Sequence, residues 1–233
     1  MPATVYLIPS LLSEEGLQAI PSYIIDAVKQ CQAFFVEEER TARRYLKKIS
    51  KDIVIDDYEW FAITNENSHI DSFKKKIREE KTIGIMSEAG CPGVADPGQR
   101  LVAIAQQLNV EVKPLVGPSS VLLALMASGM NGQQFRFNGY LPIREHERNK
   151  AIKDLEKESA NQDCTQIFIE TPYRNNHLVD ALLNNCQPST KICIAVDLTS
   201  NREFIKTRPV SEWKKNKPDI HKRPAIFLLH ASS

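Results

Sequence analysis

The densest chemistry in this 233-residue chain lies in twelve residues, SEAGCPGVADPG (87–98). Three of only nine glycines (Gly90, Gly93, Gly98) and two of thirteen prolines (Pro92, Pro97) fall there. Glycine permits positive φ and lets the backbone approach a ligand closely, while proline stiffens the path. The loop leaves a short apolar strand, TIGIM (82–86), and enters a helix over 99–108, the position where open α/β sheets bind ligands. It matches neither GxGxxG nor GxxxxGK[ST], which leaves a dinucleotide-binding dehydrogenase and a P-loop ATPase unsupported. A long ordered turn without a ligand is the plain alternative. A second segment, PLVGPSSVLLALMASG (114–129), puts Pro118, Ser119 and Ser120 at a helix start and Gly129 at its end. Free N–H groups at that start suit a carboxylate or a hydroxyl-bearing ligand, and a capped buried helix accounts for the same pattern equally well.

Charge is balanced overall, with 30 Lys+Arg against 29 Asp+Glu and a net charge of +1, so no global basic field announces nucleic acid. Local patches exist nevertheless. Arg40, Arg43, Arg44, Lys47, Lys48 and Lys51 fall within twelve residues, and Lys214, Lys215, Lys217, Lys222 and Arg223 within ten. Folded RNA can use such patches, and solvated helix faces produce them too. The five histidines have no HxxxH or HxH spacing, so no metal site is expected. The five cysteines (Cys31, Cys91, Cys164, Cys186, Cys193) are odd in number and lack CxxC, which suggests neither a disulfide framework nor zinc. No apolar run approaches the ~18–20 residues of a membrane span, and MPATVYLIPS lacks the basic start and apolar core of a leader. A cytoplasmic location without a membrane partner is the expectation.

These groups need a scaffold, and the pattern supplies one. Apolar runs at 4–8, 33–36, 82–86 and 110–115 alternate with helical periodicity at 18–30, 40–51, 68–80 (opened by Ser68) and 99–108. Strict β-α alternation predicts a mainly parallel sheet covered by helices. Beyond 118, helices at 119–128, 145–158 and 175–185 mix with strands at 166–170, 191–196 and 225–230, and a hairpin near the end predicts a mixed sheet. Two α/β domains are expected, 1–114 with the glycine loop and 115–233, divided in the Pro114–Pro118 segment. Trp60, Trp213, Phe135 and Phe137 read as core rather than base-stacking platforms.

Together these segments resemble the tetrapyrrole methylase superfamily, S-adenosylmethionine (SAM)-dependent enzymes of two α/β domains with a ligand cleft between them. The nearest likeness is to its ribosomal RNA small-subunit branch, which methylates the ribose 2′-hydroxyl of a cytidine in 16S rRNA. The match rests on SEAGCPGVADPGQRL (87–101), VGPSSVLLALMASGM (116–130), FRFNGYLP (135–142), ERNK (147–150) and IFIETPYR (167–174). EEERTARRYL (37–46), VDLT (196–199) and RPAIFLL (223–229) match more weakly, and the order is collinear over nearly the whole chain. The resemblance implies SAM contacts at Pro9, Ala89, Gly90, Cys91, Val94, Ser119, Ser120, Glu170, Leu198 and Ala225. It also implies a homodimer and a substrate of ribosomal RNA or the small ribosomal subunit. Departures fall at IPSLLSEEG (8–16), where the branch carries a Gly- and Asn-bearing loop, and at ITNENSH (63–69), where chiefly Asn67 stays in register.

A ribose hydroxyl is a weak nucleophile, so a positioned base contributes roughly 10²–10⁴-fold. The candidates are Glu37, Glu38 and Asp96, with Arg40 beside them. Arg40, Arg43, Asn67 and Arg174 are candidate substrate contacts, guanidinium suiting phosphate. Plainer roles compete: a solvated helix start with a Glu39–Arg43 pair, and Asp96 as the cap of the next helix. Other functional classes also remain open. One is a methyltransferase for a tetrapyrrole, another small molecule or a protein side chain; another is a SAM-binding or RNA-binding module whose catalytic segments have drifted.

Overall fold

Two strands, AFFV and IGIM, set the architecture, because every residue in both is buried. A strand buried on both faces belongs at the centre of a parallel sheet with helices above and below. In the computed structural model, which describes residues 2–65 and 67–232, these are β2 (Ala33–Val36) and β4 (Ile83–Met86). With β1 (Thr4–Leu7), β3 (Glu59–Ala62) and β5 (Glu111–Pro114) they form a sheet in the order β3-β2-β4-β1-β5, all neighbours parallel.

Side-chain alternation divides the core into two layers. Phe34 and Val36 face α1 (Ile24–Gln30) and α2 (Glu39–Ile49), packing with Ile24, Val28 and Leu46. Phe35 and Ile85 face α3 (Ile70–Arg78) and α4 (Gln99–Gln107), packing with Phe73 and Leu101. The helix expected over 18–30 is shorter: Leu17–Ala19 is a single 3₁₀ turn, Pro21 follows, and α1 begins at Ile24. Ser68 does not cap α3. Left-handed His69 precedes that helix, and the Ser68 hydroxyl bonds Thr64 and the Asn65 N–H instead. This unit extends to Ser119.

The unit from Ser120 onward contains α5 (Ser120–Ser128), β6 (Phe135–Tyr140), α6 (Glu145–Gln162), β7 (Thr165–Ile169) and α7 (Asn175–Asn185). It continues with β8 (Lys191–Val196), β9 (Phe204–Pro209), α8 (Val210–Trp213) and β10 (Ala225–His230). Its sheet runs β6-β7-β10-β8-β9, parallel only between β6 and β7, with β8 and β9 forming the hairpin. The chain therefore folds as two α/β units, one sheet parallel and one mixed. Trp213 is buried with its indole N–H donating to Ile192 O at 2.9 Å. Trp60 is half-buried, stacked on Phe34 at 5.0 Å. Phe135, expected in the core, is exposed at 41% because β6 is an edge strand.

Candidate functional site

Five parallel strands deliver five loops to one edge, and those after β1, β2, β4 and β5 are tied together there. Past β1, Ser10 pairs antiparallel with Gly90: Ser10 N donates to Gly90 O at 2.8 Å and Gly90 N to Ser10 O at 3.2 Å. Gly90 has φ +72°, a conformation that glycine adopts without strain. The Ser10 hydroxyl donates to Ser87 O at 2.7 Å, and the Tyr45 hydroxyl, from α2, to Pro9 O at 2.8 Å. The Cys91 thiol points at the carbonyls of Gly117 and Pro118, 3.8 and 3.5 Å away. Burial, followed by the charge of Asp96, pushes that thiol up, so it stays protonated and inert as a nucleophile.

Gly117 is where the post-β5 loop crosses Pro9, and a Cβ there would lie 2.1 Å from Pro9 Cβ. Gly117→Ala must push two site loops apart, at a cost of about 1–3 kcal/mol. A lower urea midpoint with an unchanged slope would be the expected reading.

The structure thus brings Pro9, Gly90 and Cys91 together at this edge, with Ala89 and Val94 exposed on the same loop. It also sorts the carboxylates. Glu38 caps α2, accepting from Arg40 N at 3.1 Å and Thr41 N at 2.6 Å, and the Thr41 contacts hold it below the usual carboxylate range. Glu37 Oε2 accepts the Glu88 N–H at 2.8 Å. Asp96 is not a cap: α4 is preceded by Gly98 and has no side-chain cap. Burial, then the charge of Glu37, raises Asp96 to about 6, with the Ser87 hydroxyl opposing and Glu88 adding a smaller push. A cavity of about 350 Å³ is lined by Asp96, Thr64, Asn65, Gln99 and Arg100, among others.

The other candidates in this unit are scattered. Arg40 is exposed at the start of α2. Arg43 is engaged, paired with Glu39 at 2.6 Å and lying over Trp60 at 5.1 Å. Asn67 is exposed, its N–H donating to Asn65 Oδ1 at 2.9 Å; Glu66, in the same segment, lies outside the described residues.

In the second unit, register does the gathering. Because β10 runs antiparallel to both neighbours, its first residues oppose the last of β7 and β8: Ile226 pairs with Ile169 and Ala225 with Val196. Glu170, Leu198 and Ala225 therefore share one edge of this sheet. Glu170 is buried and accepts Thr171 N at 2.6 Å and Arg174 Nε and Nη2 at 3.0 and 2.6 Å. Arg174 is thus the partner of Glu170. Ser119 ends the first unit, and Ser120 opens α5 at the start of the second.

Sequence reasoning missed a buried carboxylate on this edge, Asp197, which accepts from Arg223 Nε at 2.8 Å. Asp197 and Thr199 flank Leu198 with φ +48° and +67°. The Thr199 hydroxyl oxygen and Asn175 Oδ1 are buried without a hydrogen-bond partner among the described residues. The VDLT and RPAIFLL segments were the available signal.

Two α/β units, each presenting loops at a strand edge, make a fold also seen in solved methyltransferases. The crystal structure of the methyltransferase CobJ matches with TM-score 0.63 at 14% identity, over 99% of this chain and 94% of that one. The cobalt precorrin-4 methyltransferase CbiF, a cobalamin biosynthetic enzyme, matches with TM-score 0.61 at 14% identity, over 97% and 94%. The chain belongs to the tetrapyrrole (corrin/porphyrin) methylase family, whose model matches residues 20–213.

Among curated relatives, ribosomal RNA small subunit methyltransferase I of Vibrio cholerae is 29% identical over 97% of this chain and 76% of its own length. Those of Escherichia coli O157:H7 and Micromonospora olivasterospora are 29% and 33% identical, over 71% and 73% of this chain. The matched parts span 57% and 52% of those two proteins, little more than half their length.

Proposed function

We propose that this protein transfers a methyl group from SAM to a ribose 2′-hydroxyl of small-subunit ribosomal RNA. The observation that carries the reading is the likeness over 97% of the chain to a relative named ribosomal RNA small subunit methyltransferase I; the ribose 2′-hydroxyl comes from the family resemblance. The tetrapyrrole methylase membership and the collinear motifs support it.

SAM, when bound, would supply a methyl group activated on a sulfonium, the sulfur–methyl bond breaking to leave a neutral thioether. Each unit taken by itself offers groups that suit part of such a ligand: the first a glycine loop, the second a buried Thr199 hydroxyl, next to Leu198 in the chain, that lacks a hydrogen-bond partner among the described residues. We assign to SAM Pro9, Ala89, Gly90, Cys91, Val94 and Ser119 of the first unit, and Ser120, Glu170, Leu198 and Ala225 of the second. Of the candidate bases, Asp96 is the best suited. Glu38 is held ionised by the α2 N–H groups, whereas Asp96, raised to about 6, both accepts a proton readily and is charged at neutral pH. The carboxylate takes the hydroxyl proton as the ribose oxygen gains the methyl. Arg40 and the rest of the α2 basic stretch serve the RNA backbone. The protein works in the cytoplasm, as its composition suggests, and as a homodimer, as the family resemblance implies. Among the described residues no helix is long and apolar enough to cross a membrane.

Incubation with methyl-labelled SAM and small ribosomal subunits from cells lacking the gene tests this directly. A 2′-O-methyl removes the hydroxyl that attacks the phosphate in alkali, so label is expected in an alkali-resistant dinucleotide. Label in mononucleotides would mean base methylation. No label, with SAM binding intact, would turn the assignment to a small-molecule or protein acceptor.

A further inference from the structure

Two cations of α2 are held by a single carboxylate from outside the helix. Arg40, Arg44 and Lys48 are spaced four apart and share one face of the helix. Glu14, in the loop after β1, reaches that face with both carboxylate oxygens. Its Oε1 accepts from Arg44 Nη2 at 2.9 Å and its Oε2 from Lys48 Nζ at 2.8 Å, and Lys48 also donates to the Glu14 carbonyl. The residues that surround this clamp, among them Ser10, Ser13, Thr41 and Ser87, line a cavity of about 220 Å³. The cavity therefore abuts the start of the glycine loop at the carboxyl edge of the sheet.

Two cations gripping the two oxygens of one anion, beside the Ser13 and Thr41 hydroxyls, is the arrangement that receives the non-bridging oxygens of a phosphodiester. The Ser10 and Ser87 hydroxyls already donate to carbonyls, and Glu88 lines the same cavity. We infer that Glu14 is a displaceable stand-in for an RNA phosphate, and that Arg44 and Lys48 form a phosphodiester subsite that the loop after β1 keeps closed until RNA arrives. The inference rests on the RNA reading above and adds to it a gate.

Exposure makes the exchange feasible. The side chains of Glu14 and Arg44 are 66% and 63% exposed, so water and salt screen the pairs and an incoming phosphate replaces one anion with another. Hydrogen bonding from Lys48 holds the Glu14 carboxyl below its ordinary range, so the clamp is charged at neutral pH. With a net charge of only +1, one carboxylate that masks two cations governs a sizeable part of the attraction for RNA.

The test is fluorescence anisotropy with a fluorescein-labelled single-stranded RNA of mixed sequence, across a chloride series, on the 233-residue protein with melting curves in parallel. Glu14→Gln is expected to bind about 3–10-fold tighter at low salt and to steepen the log K against log[salt] line by about one ion. Glu15→Gln, which removes the same charge one residue away, is expected to change affinity less than twofold. In an Arg44→Gln/Lys48→Gln background the Glu14→Gln gain should vanish, which a generic charge effect would not do.

Wild-type RNA binding with no gain from Glu14→Gln overturns the gate and leaves the RNA reading standing. A gain that persists without Arg44 and Lys48 also overturns it. Absence of RNA binding by wild type and Glu14→Gln alike overturns both. If inorganic phosphate at matched ionic strength stabilises Glu14→Gln against melting while RNA affinity is unchanged, the subsite serves a free anion, and the polymer assignment fails.

Discussion

Asp96→Asn is expected to lose methyl transfer and, in the same variant, to gain stability at neutral pH. The two effects share one cause. Asp96 titrates near 6 in the folded protein against an ordinary 3.8, because burial and the neighbouring Glu37 charge disfavour its ionised form. Between those values the folded state binds more protons than the unfolded state, so stability falls as pH rises through roughly 4 to 6 and stays lowered above it. At about 1.4 kcal/mol per pKa unit the full cost has an upper bound of about 3 kcal/mol, reduced by the solvent that reaches a half-buried group.

An asparagine keeps the shape and an acceptor for the Ser87 hydroxyl but never ionises. Its melting temperature should therefore exceed that of wild type at pH 8, and the gap should close as pH falls below 4. As a proton acceptor the amide is useless, so turnover should drop by about 10²–10⁴-fold while SAM affinity by calorimetry is retained. Wild-type kcat/KM should rise with pH and level off above about 6, and the residual activity of the variant should be flat. Wild-type turnover in Asp96→Asn would remove Asp96 from the reaction. Higher stability with lost activity is the pattern of a group strained for function.

How far the residues alone disclose this arrangement depends on burial. The central strands were readable because AFFV and IGIM are apolar on both faces, which only a covered parallel strand demands. The unread strands, EWFA in β3, FRFNGY in β6 and FIKTRP in β9, are all sheet edges, where half the side chains meet water and the apolar run breaks up. The glycine loop stood out through composition. What composition could not do was divide labour among acids. Glu38 and Asp96 look alike in sequence, yet one meets helix N–H groups and the other a second carboxylate. Asp197 and Arg223 lie 26 residues apart, and only the antiparallel register of β10 on β8 brings them within 2.8 Å.

The same pairing logic sets the fate of Arg174, which as an isolated residue suits a phosphate. In the fold it forks onto Glu170, whose side chain is only 2% exposed, through two nitrogens at 3.0 and 2.6 Å. A buried carboxylate stripped of its cation is costly: Arg174→Ala should destabilise the second unit by about 3–5 kcal/mol, one of the largest losses a single surface-facing arginine can cause. Arg174→Lys keeps the charge but not the two-nitrogen fork, and should recover only part of it. Neutralising both partners, Glu170→Gln/Arg174→Ala, should be more stable than Arg174→Ala alone, because the uncompensated charge is gone; a thermodynamic cycle in urea then gives a coupling of about 0.5–3 kcal/mol. In the Arg174 single variants, loss of activity should follow loss of folded protein, whereas Glu170→Gln also alters a residue assigned to SAM and its activity is not read. A well-folded Arg174→Ala with an intact melting curve and a raised KM for RNA would reverse the conclusion, placing the guanidinium on substrate and leaving Glu170 to be satisfied by the Thr171 N–H it already accepts at 2.6 Å.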